Sequence, residues 1–494
     1  MVRASRRPAA ARAVLFALAP LSLALLCSAA QASGYRFGTQ SAAAEGTANA
    51  NGAEGADAST IYANPAALTR LSGWNFSGVL DHVRPDVRFT DAGSVISLPG
   101  SGFKPVAISK AGDTVKPAAD AWVPHLYAAY KASDTLAYGL GIYVPSGAKL
   151  DYAPGWGGRY NLNSVELKSL AFNPNVAWKL SDKLSLAAGV SAEYMHGHLQ
   201  RAVPYASVFA AGLLGAAQKA AAAGAPGLAL QLQQQAAQVF GNPAFDGGID
   251  IKGSDWGIGA NLALLWEADE KTRFGIAWRS SVAHKLKGSA DWSQPANLPA
   301  EVLAAATGSP YDGHAKLDHN DSGASLGVKT PDSLSFQAYH QYTAKFAVMA
   351  EASWYRQSLL DTLRIDFDST TAPSITAEHW RDVWRLSLGA TYRVNDQLLL
   401  RGGVSLDRSP VQTVYRSPAL PDSDRSWLAL GANYQFNAQT SVDLAFGYIK
   451  LKDAPMQATD DAEGATPCNC AYSTVRGNYK ASATTFGVQL NHKF

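Results

Sequence analysis

The segment Trp384-Arg385-Leu386-Ser387-Leu388-Gly389-Ala390-Thr391-Tyr392-Arg393-Val394 decides the fold. Its even positions are apolar or aromatic, and its odd positions are polar, charged or small. Successive side chains of a strand point to opposite faces, so this period separates an apolar face from a polar one. Leu428, Leu430, Ala432, Tyr434 and Phe436 repeat the pattern. So do Val442, Leu444, Phe446 and Tyr448, and the final stretch Phe486, Val488, Leu490, His492 and Phe494. A soluble sandwich also alternates, but it turns its apolar face inward and rarely keeps arginine and aromatic partners over so many strands. A membrane barrel sets the apolar face against lipid and the polar face on a lumen, with aromatics at both interfaces. The pattern fits the barrel better.

The connections point the same way. Short polar turns are expected at 132–135, 181–183, 268–271, 343–344, 395–397 and 437–439. Long irregular segments lie near 91–120, 146–161, 202–250, 290–330, 360–379, 409–423 and 453–472. Six short turns on one side and seven long loops on the other imply an all-β, antiparallel transmembrane barrel of about fourteen strands. Both ends of the barrel then lie on the periplasmic side. The expected organisation is a signal peptide over 1–32, an N-terminal hatch over 33–71 and the barrel over 72–494. Residues 202–245 break the pattern and read as two short helices joined at Gly224-Ala225-Pro226-Gly227. Their leucines either pack on each other and cap the barrel or form a hydrophobic capture groove.

The N-terminus explains how such a chain leaves the cytoplasm. Arg3, Arg6, Arg7 and Arg12 precede an apolar stretch from Ala13 to Leu26, and Ala30-Gln31-Ala32 offers the small residues of a cleavage site. Loss of those four arginines moves the formal charge from +2 to −2. A near-neutral chain lacks the basic footprint of a nucleic-acid binder. No other apolar run is long enough for a spanning helix. Cys468 and Cys470 are too few for a disulfide scaffold and too closely spaced for an unstrained bridge. H-E-x-x-H and P-loop motifs are missing, so the expectation is a non-enzyme with no cofactor and no metal.

The ordered motifs carry a resemblance. Gly34-Tyr35, Asn64-Pro65-Ala66, Ser254-Asp255-Trp256-Gly257, Trp278-Arg279-Ser280 and Pro331-Asp332-Ser333-Leu334 come first. The run from Trp380 to Gly389, then Arg401-Gly402-Gly403, Ser409-Pro410 and Pro421-Asp422-Ser423-Asp424-Arg425, follow. In this order they resemble the FadL/TodX family of outer-membrane transporters for long-chain fatty acids and aromatic hydrocarbons. The resemblance implies a monomeric barrel of the Gram-negative outer membrane, blocked by its hatch and surrounded by lipid and lipopolysaccharide. Passive passage of hydrophobic compounds would run from loop capture through hatch rearrangement to lateral exit. Long-chain fatty acids are the first expectation; aromatic hydrocarbons, or an enzyme acting on lipids, are the alternatives.

The resemblance also nominates residues. Gly34, Tyr35 and Phe37 would contact substrate, and Arg201 would hold a carboxylate, for which a guanidinium is suited. The second basic partner expected in the family falls near the uncharged Thr376, with His379 or Arg381 as substitutes. Asn64, Pro65 and Ala66 would shape the hatch turn, because proline restricts itself and its predecessor. Gly139 and Gly141 would mark the strand of a lateral gate, since glycine within a strand often accompanies an irregularity. Arg385, Arg393, Arg401, Asp382, Asp407 and Asp443 are expected to form a lumenal charge network that holds the hatch.

Overall fold

The computed structural model describes residues 35–295, 321–459 and 472–494. The proposed signal peptide, Gly34, Cys468 and Cys470 lie outside the described residues. Among those described, no helix is long and apolar enough to cross a membrane.

Alternation builds fourteen antiparallel strands. They are β1 (Trp74–Asp91), β2 (Ala121–Lys131), β3 (Leu136–Tyr143, resuming at Gly147–Asp151), β4 (Ser164–Ser181) and β5 (Leu184–Val203). Next come β6 (Gly247–Glu267), β7 (Thr272–Arg279 and Ala283–Ser293), β8 (Ser322–Lys329 and Ser333–Gln341) and β9 (Phe346–Tyr355). The series ends with β10 (Val383–Arg393), β11 (Leu398–Asp407), β12 (Arg425–Gln435), β13 (Thr440–Leu451, resuming at Ala454–Thr459) and β14 (Tyr472–Lys493). Each strand pairs with the next, and β1 pairs with β14 from Asn75–Lys493 to Asp91–Gly477, which closes the barrel. Short turns join the strands at one end and long loops at the other, as the sequence pattern requires.

Burial follows the predicted faces. Trp384, Leu386, Leu388 and Tyr392 are exposed on the outside, whereas Arg385, Ser387, Thr391, Arg401 and Asp407 are buried inside. Exposed Trp74, Phe76, Tyr138, Trp178, Trp266, Phe274, Tyr342, Tyr434, Phe436 and Phe494 sit at the strand ends nearest the short turns. They form an aromatic girdle, and Trp122, Trp256, Trp384 and Tyr448 mark the other interface.

Residues 35–71 fill the lumen. This plug contains α1 (Ala42–Glu45), α2 (Thr60–Ala63) and a 3-10 turn (Pro65–Arg70). The chain touches both sides of the barrel: α1 packs on β12, β13 and β14, and the 3-10 turn packs on β3 to β6. At Gly403 a Cβ would lie 2.2 Å from the carbonyl carbon of Thr47, so β11 admits the plug backbone only because that position is glycine. Outside, α3 (Tyr205–Ala222) and α4 (Pro226–Val239) form the helical loop. Leu213, Leu214 and Phe240 bury against Ile96, Leu98 and Ile108 of the first long loop, while Leu228 and Leu230 of α4 remain exposed.

Candidate functional site: an apolar cavity, a plug and an interrupted wall

The site begins with β3, whose regular ladder ends at Tyr143. Pro145 has no N–H to donate, and its ring restricts Val144 as well. Between Tyr143↔Ala171 and Gly147↔Lys168 the register with β4 shifts by one residue. On the other side, pairing with β2 stops at Leu126↔Ile142, although β2 continues alongside β1 to Ala121. The wall between β2 and β3 is therefore interrupted beyond Leu126.

Gly139 and Gly141 do not mark this interruption. Both pair with β2 and with β4. Their role is close approach: a Cβ on Gly139 would meet Leu68 at 2.8 Å and Ile61 at 2.9 Å, so the plug rests against bare backbone. The break falls at Val144–Ser146 because Pro145, rather than glycine, removes the ladder donor.

The backbone groups of Val144–Gly147 at the break find other partners. Val144 N–H donates to His125 Nδ1 at 3.3 Å, and Gln40 Nε2 donates to the Val144 carbonyl at 2.9 Å. Phe37 N–H donates to the Pro145 carbonyl at 2.9 Å, and Gly147 N–H to the Tyr35 carbonyl at 2.8 Å. Ser146 N–H donates to Ser169 Oγ at 2.9 Å. Three of these partners, Tyr35, Phe37 and Gln40, belong to the start of the plug. Buried polar groups demand such pairing, so the plug completes the wall.

Asn64 anchors the other end of the plug. Its Oδ1 accepts Ala66 N–H at 3.1 Å and caps the turn that begins at Pro65. Its Nδ2 donates to the Leu264 carbonyl at 3.1 Å and to Gln337 Oε1 at 2.8 Å. Arg279 donates to the carbonyls of Ile61 and Tyr62, and Arg273 to those of Ala53 and Glu54. Arg401 pairs with Glu54 at 2.9 Å and Asp443 at 3.4 Å, and Arg385 pairs with Glu351 at 2.8 Å. Arg36 of the plug lies 3.9 Å from Asp407. Arg393 and Asp382, by contrast, are exposed. Arg279 and Arg273 were not singled out for the plug from the sequence; among the described residues neither has a carboxylate within ion-pair distance, and both donate to plug carbonyls.

Above the plug lies an apolar cavity of about 130 Å³. Tyr35 forms part of its wall with Leu167, Leu199, Leu286, Leu326 and Leu363. Glu166, His198 and Lys252 also border it, yet strand alternation turns their side chains outward, where Glu166 pairs with Lys168, and His198 and Lys252 with Asp250. Phe37 does not line the cavity; its ring packs on His125 beside the wall break. Arg201 pairs with Ile249, one step beyond the Leu199–Ile251 pair of the cavity wall, and so lies at the cavity's loop side. Thr376 is exposed in a loop strand (Ser374–Ala377). His379 Nδ1 is 2.6 Å from Asp361, and Arg381 is exposed.

The loop over Tyr35 has its own buried acid. Trp380 packs 5.8 Å from Tyr35, and its Nε1–H donates to Glu378 Oε2 at 2.9 Å. Burial pushes the Glu378 carboxyl up to about 7, against the opposing hydrogen bonds from Trp380 and Ser417.

A fourteen-stranded membrane barrel with a lumenal plug, an apolar cavity and an interrupted wall defines an outer-membrane transport barrel. Residues 23–494 match the model of the outer membrane protein transport family OMPP1/FadL/TodX, and the chain belongs to that family. It is 33% identical to an outer membrane protein of Neisseria meningitidis serogroup B, covering 96% of this chain and 97% of the relative. It is 26% identical to the long-chain fatty acid transport protein of Escherichia coli K12, covering 88% and 93%. Among solved structures, a FadL homologue from Pseudomonas aeruginosa superposes with a TM-score of 0.76 at 21% identity, covering 93% and 100%. The toluene transporter TodX of Pseudomonas putida gives 0.59 at 18%, covering 94% and 99%. The protein is a barrel of the outer membrane.

Proposed function

We propose that the chain conducts hydrophobic small molecules passively, with long-chain fatty acids as its first substrate class. The observation that carries this reading is the apolar cavity placed between the loops and a plug that also seals the side wall. A substrate tail gains free energy by leaving water for the leucine-lined cavity. Tyr35 belongs to both the cavity wall and the plug segment that pairs with β3, so a ligand pressing on Tyr35 acts on the seal directly. Withdrawal of residues 35–40 frees the Val144, Pro145 and Gly147 backbone and opens a lateral path between β2 and β3. No energy source is needed, because the substrate moves down its own gradient. Exposed Leu228 and Leu230 of the helical loop offer a first apolar contact.

In this reading Arg201 meets a carboxylate whose tail enters the cavity. One observation favours neutral aromatic hydrocarbons instead: the cavity side chains that point inward carry no charge, and the Tyr35 hydroxyl donates to the Lys329 carbonyl. Uptake of labelled oleate and labelled toluene in a deletion strain carrying this gene decides between them. Restored oleate uptake that falls in Arg201→Ala supports the acid route. Restored toluene uptake alone supports the hydrocarbon route. Loss of lipid hydrolysis with no uptake defect would overturn both.

A further inference from the structure

Alternation and register place a basic patch on the outer surface of the barrel, across the seam between β13, β14 and β1. Even-numbered residues of all three strands face outward. Cross-strand register stacks them in rows: Phe446–Phe486–His82–Trp122, then Tyr448–Thr484–Arg84, then Lys450–Ser482–Asp86, then Lys480–Arg88. The first row is aromatic and marks the membrane interface; the cations begin one row beyond it. Side chains at this height that point away from the lumen stand in the headgroup layer of the outer leaflet.

Among the described residues, the charges are not balanced within the patch. Arg84, Arg88, Lys116, Lys450, Arg476 and Lys480 stand near Asp86, Asp120 and Asp453. Asp86 is shared by Arg88 and Lys116, each at 3.3 Å, and Lys480 reaches Asp453 only at 3.8 Å. Asp120 faces His82 at 3.4 Å. Among the described residues, Arg84 and Lys450 have no carboxylate within ion-pair distance. Arg88 and Lys480 are direct cross-strand partners, and both are more than half exposed. Like charges placed directly opposite one another destabilise a strand pair unless an anion sits between them.

We infer that this patch binds the phosphorylated sugar headgroup of lipopolysaccharide. Arg84, Arg88, Lys450 and Lys480 would clasp its phosphates, with guanidinium forks and ammonium groups making charge-assisted hydrogen bonds. The acyl chains would lie along the exposed wall directly below, formed by Leu80, Leu444, Phe446, Phe486 and Leu490. The seam is where the first and last strands meet, so a lipid bridging β1, β14 and β13 also fastens the barrel closure. This site is separate from the lumen and does not depend on the transport reading.

The test uses the full barrel in phosphatidylcholine nanodiscs, titrated with lipopolysaccharide and followed by native mass spectrometry. The variant Arg84→Gln/Arg88→Gln/Lys450→Gln/Lys480→Gln is expected to bind at least tenfold more weakly. The milder Arg88→Gln/Lys480→Gln guards against misfolding and is expected to lose about threefold. Heat-dependent gel mobility checks that each variant is a closed barrel. Dephosphorylated lipid should bind wild type as weakly as the fourfold variant binds the intact lipid. Equal affinity of the closed fourfold variant and wild type would overturn the site. Equal binding of dephosphorylated lipid, or equally tight binding of phosphatidylglycerol, would overturn the assignment of the ligand.

Discussion

Replacing Asn64 by alanine tests whether the plug is held by the bonds that the structure shows. The side chain is fully buried and makes three hydrogen bonds, one within the plug and two to the wall. Loss of the cap on Ala66 N–H costs about 1 kcal/mol. Gln337 Oε1 loses a donor in a buried place, which costs about 1–3 kcal/mol. The Leu264 carbonyl stays within the β6 ladder and adds little. A central value of about 3 kcal/mol shifts the balance between seated and unseated plug roughly 150-fold, at about 1.4 kcal/mol per decade. The assay is single-channel recording in planar bilayers, read as the fraction of time in an open level, with heat-dependent gel mobility confirming an assembled barrel. Asn64→Ser keeps a capping oxygen but loses the reach to Gln337 and should fall between wild type and Asn64→Ala. An assembled Asn64→Ala barrel with wild-type opening frequency would falsify the anchoring role.

Filling the cavity with Val328→Trp should weaken binding of a fluorescent fatty acid about tenfold, because about 50 Å² of lost apolar contact at 25 cal/mol per Å² is about 1.3 kcal/mol; unchanged affinity would place the substrate elsewhere. Gln40→Ala removes the donor to the Val144 carbonyl, at a cost of about 1–2 kcal/mol. A cysteine at position 36 should then react with a small thiol reagent about tenfold faster, and an unchanged labelling rate would show that the wall does not depend on this bond. Glu378 predicts a pH response in the loop over Tyr35. Its carboxyl is raised in the folded loop, to about 7, so the loop favours the protonated form. That contribution is fully present below the exposed-carboxylate value and is lost as pH rises through about 7. Acrylamide quenching of Trp380 should increase over this range in wild type and stay flat in Glu378→Gln, with equal pH dependence in both as the contrary result.

The barrel was legible because its physics is local. Trp384 to Val394 must alternate to meet lipid and lumen, and turns such as 395–397 are short where strands close on the periplasmic side. The cavity was less legible, although a signal was present: Leu199, Ile251, Leu286 and Val328 are apolar at inward positions where the rest of the barrel places polar residues. The interruption of β3 was visible only as Pro145. Its consequence depends on Gln40 and Phe37, about a hundred residues earlier, which no periodicity connects to it. Arg201 could be placed on its strand, but its distance from the cavity followed only from the pairing of β5 with β6. The basic seam was hidden for the same reason, since Arg88 and Lys480 are neighbours only through register.

The β1–β14 seam also bears on the order of biogenesis. The plug is the first part of the described chain and β14 the last, and the plug lies inside the ring that their pairing closes. Once the ladder from Asn75–Lys493 to Asp91–Gly477 has zipped, residues 35–71 are encircled by a continuous ring of strands. The N-terminal segment must therefore either gather within a still-open sheet before the final strand arrives or enter afterwards through an end of the finished ring, and the two routes place the plug and the seam in opposite order.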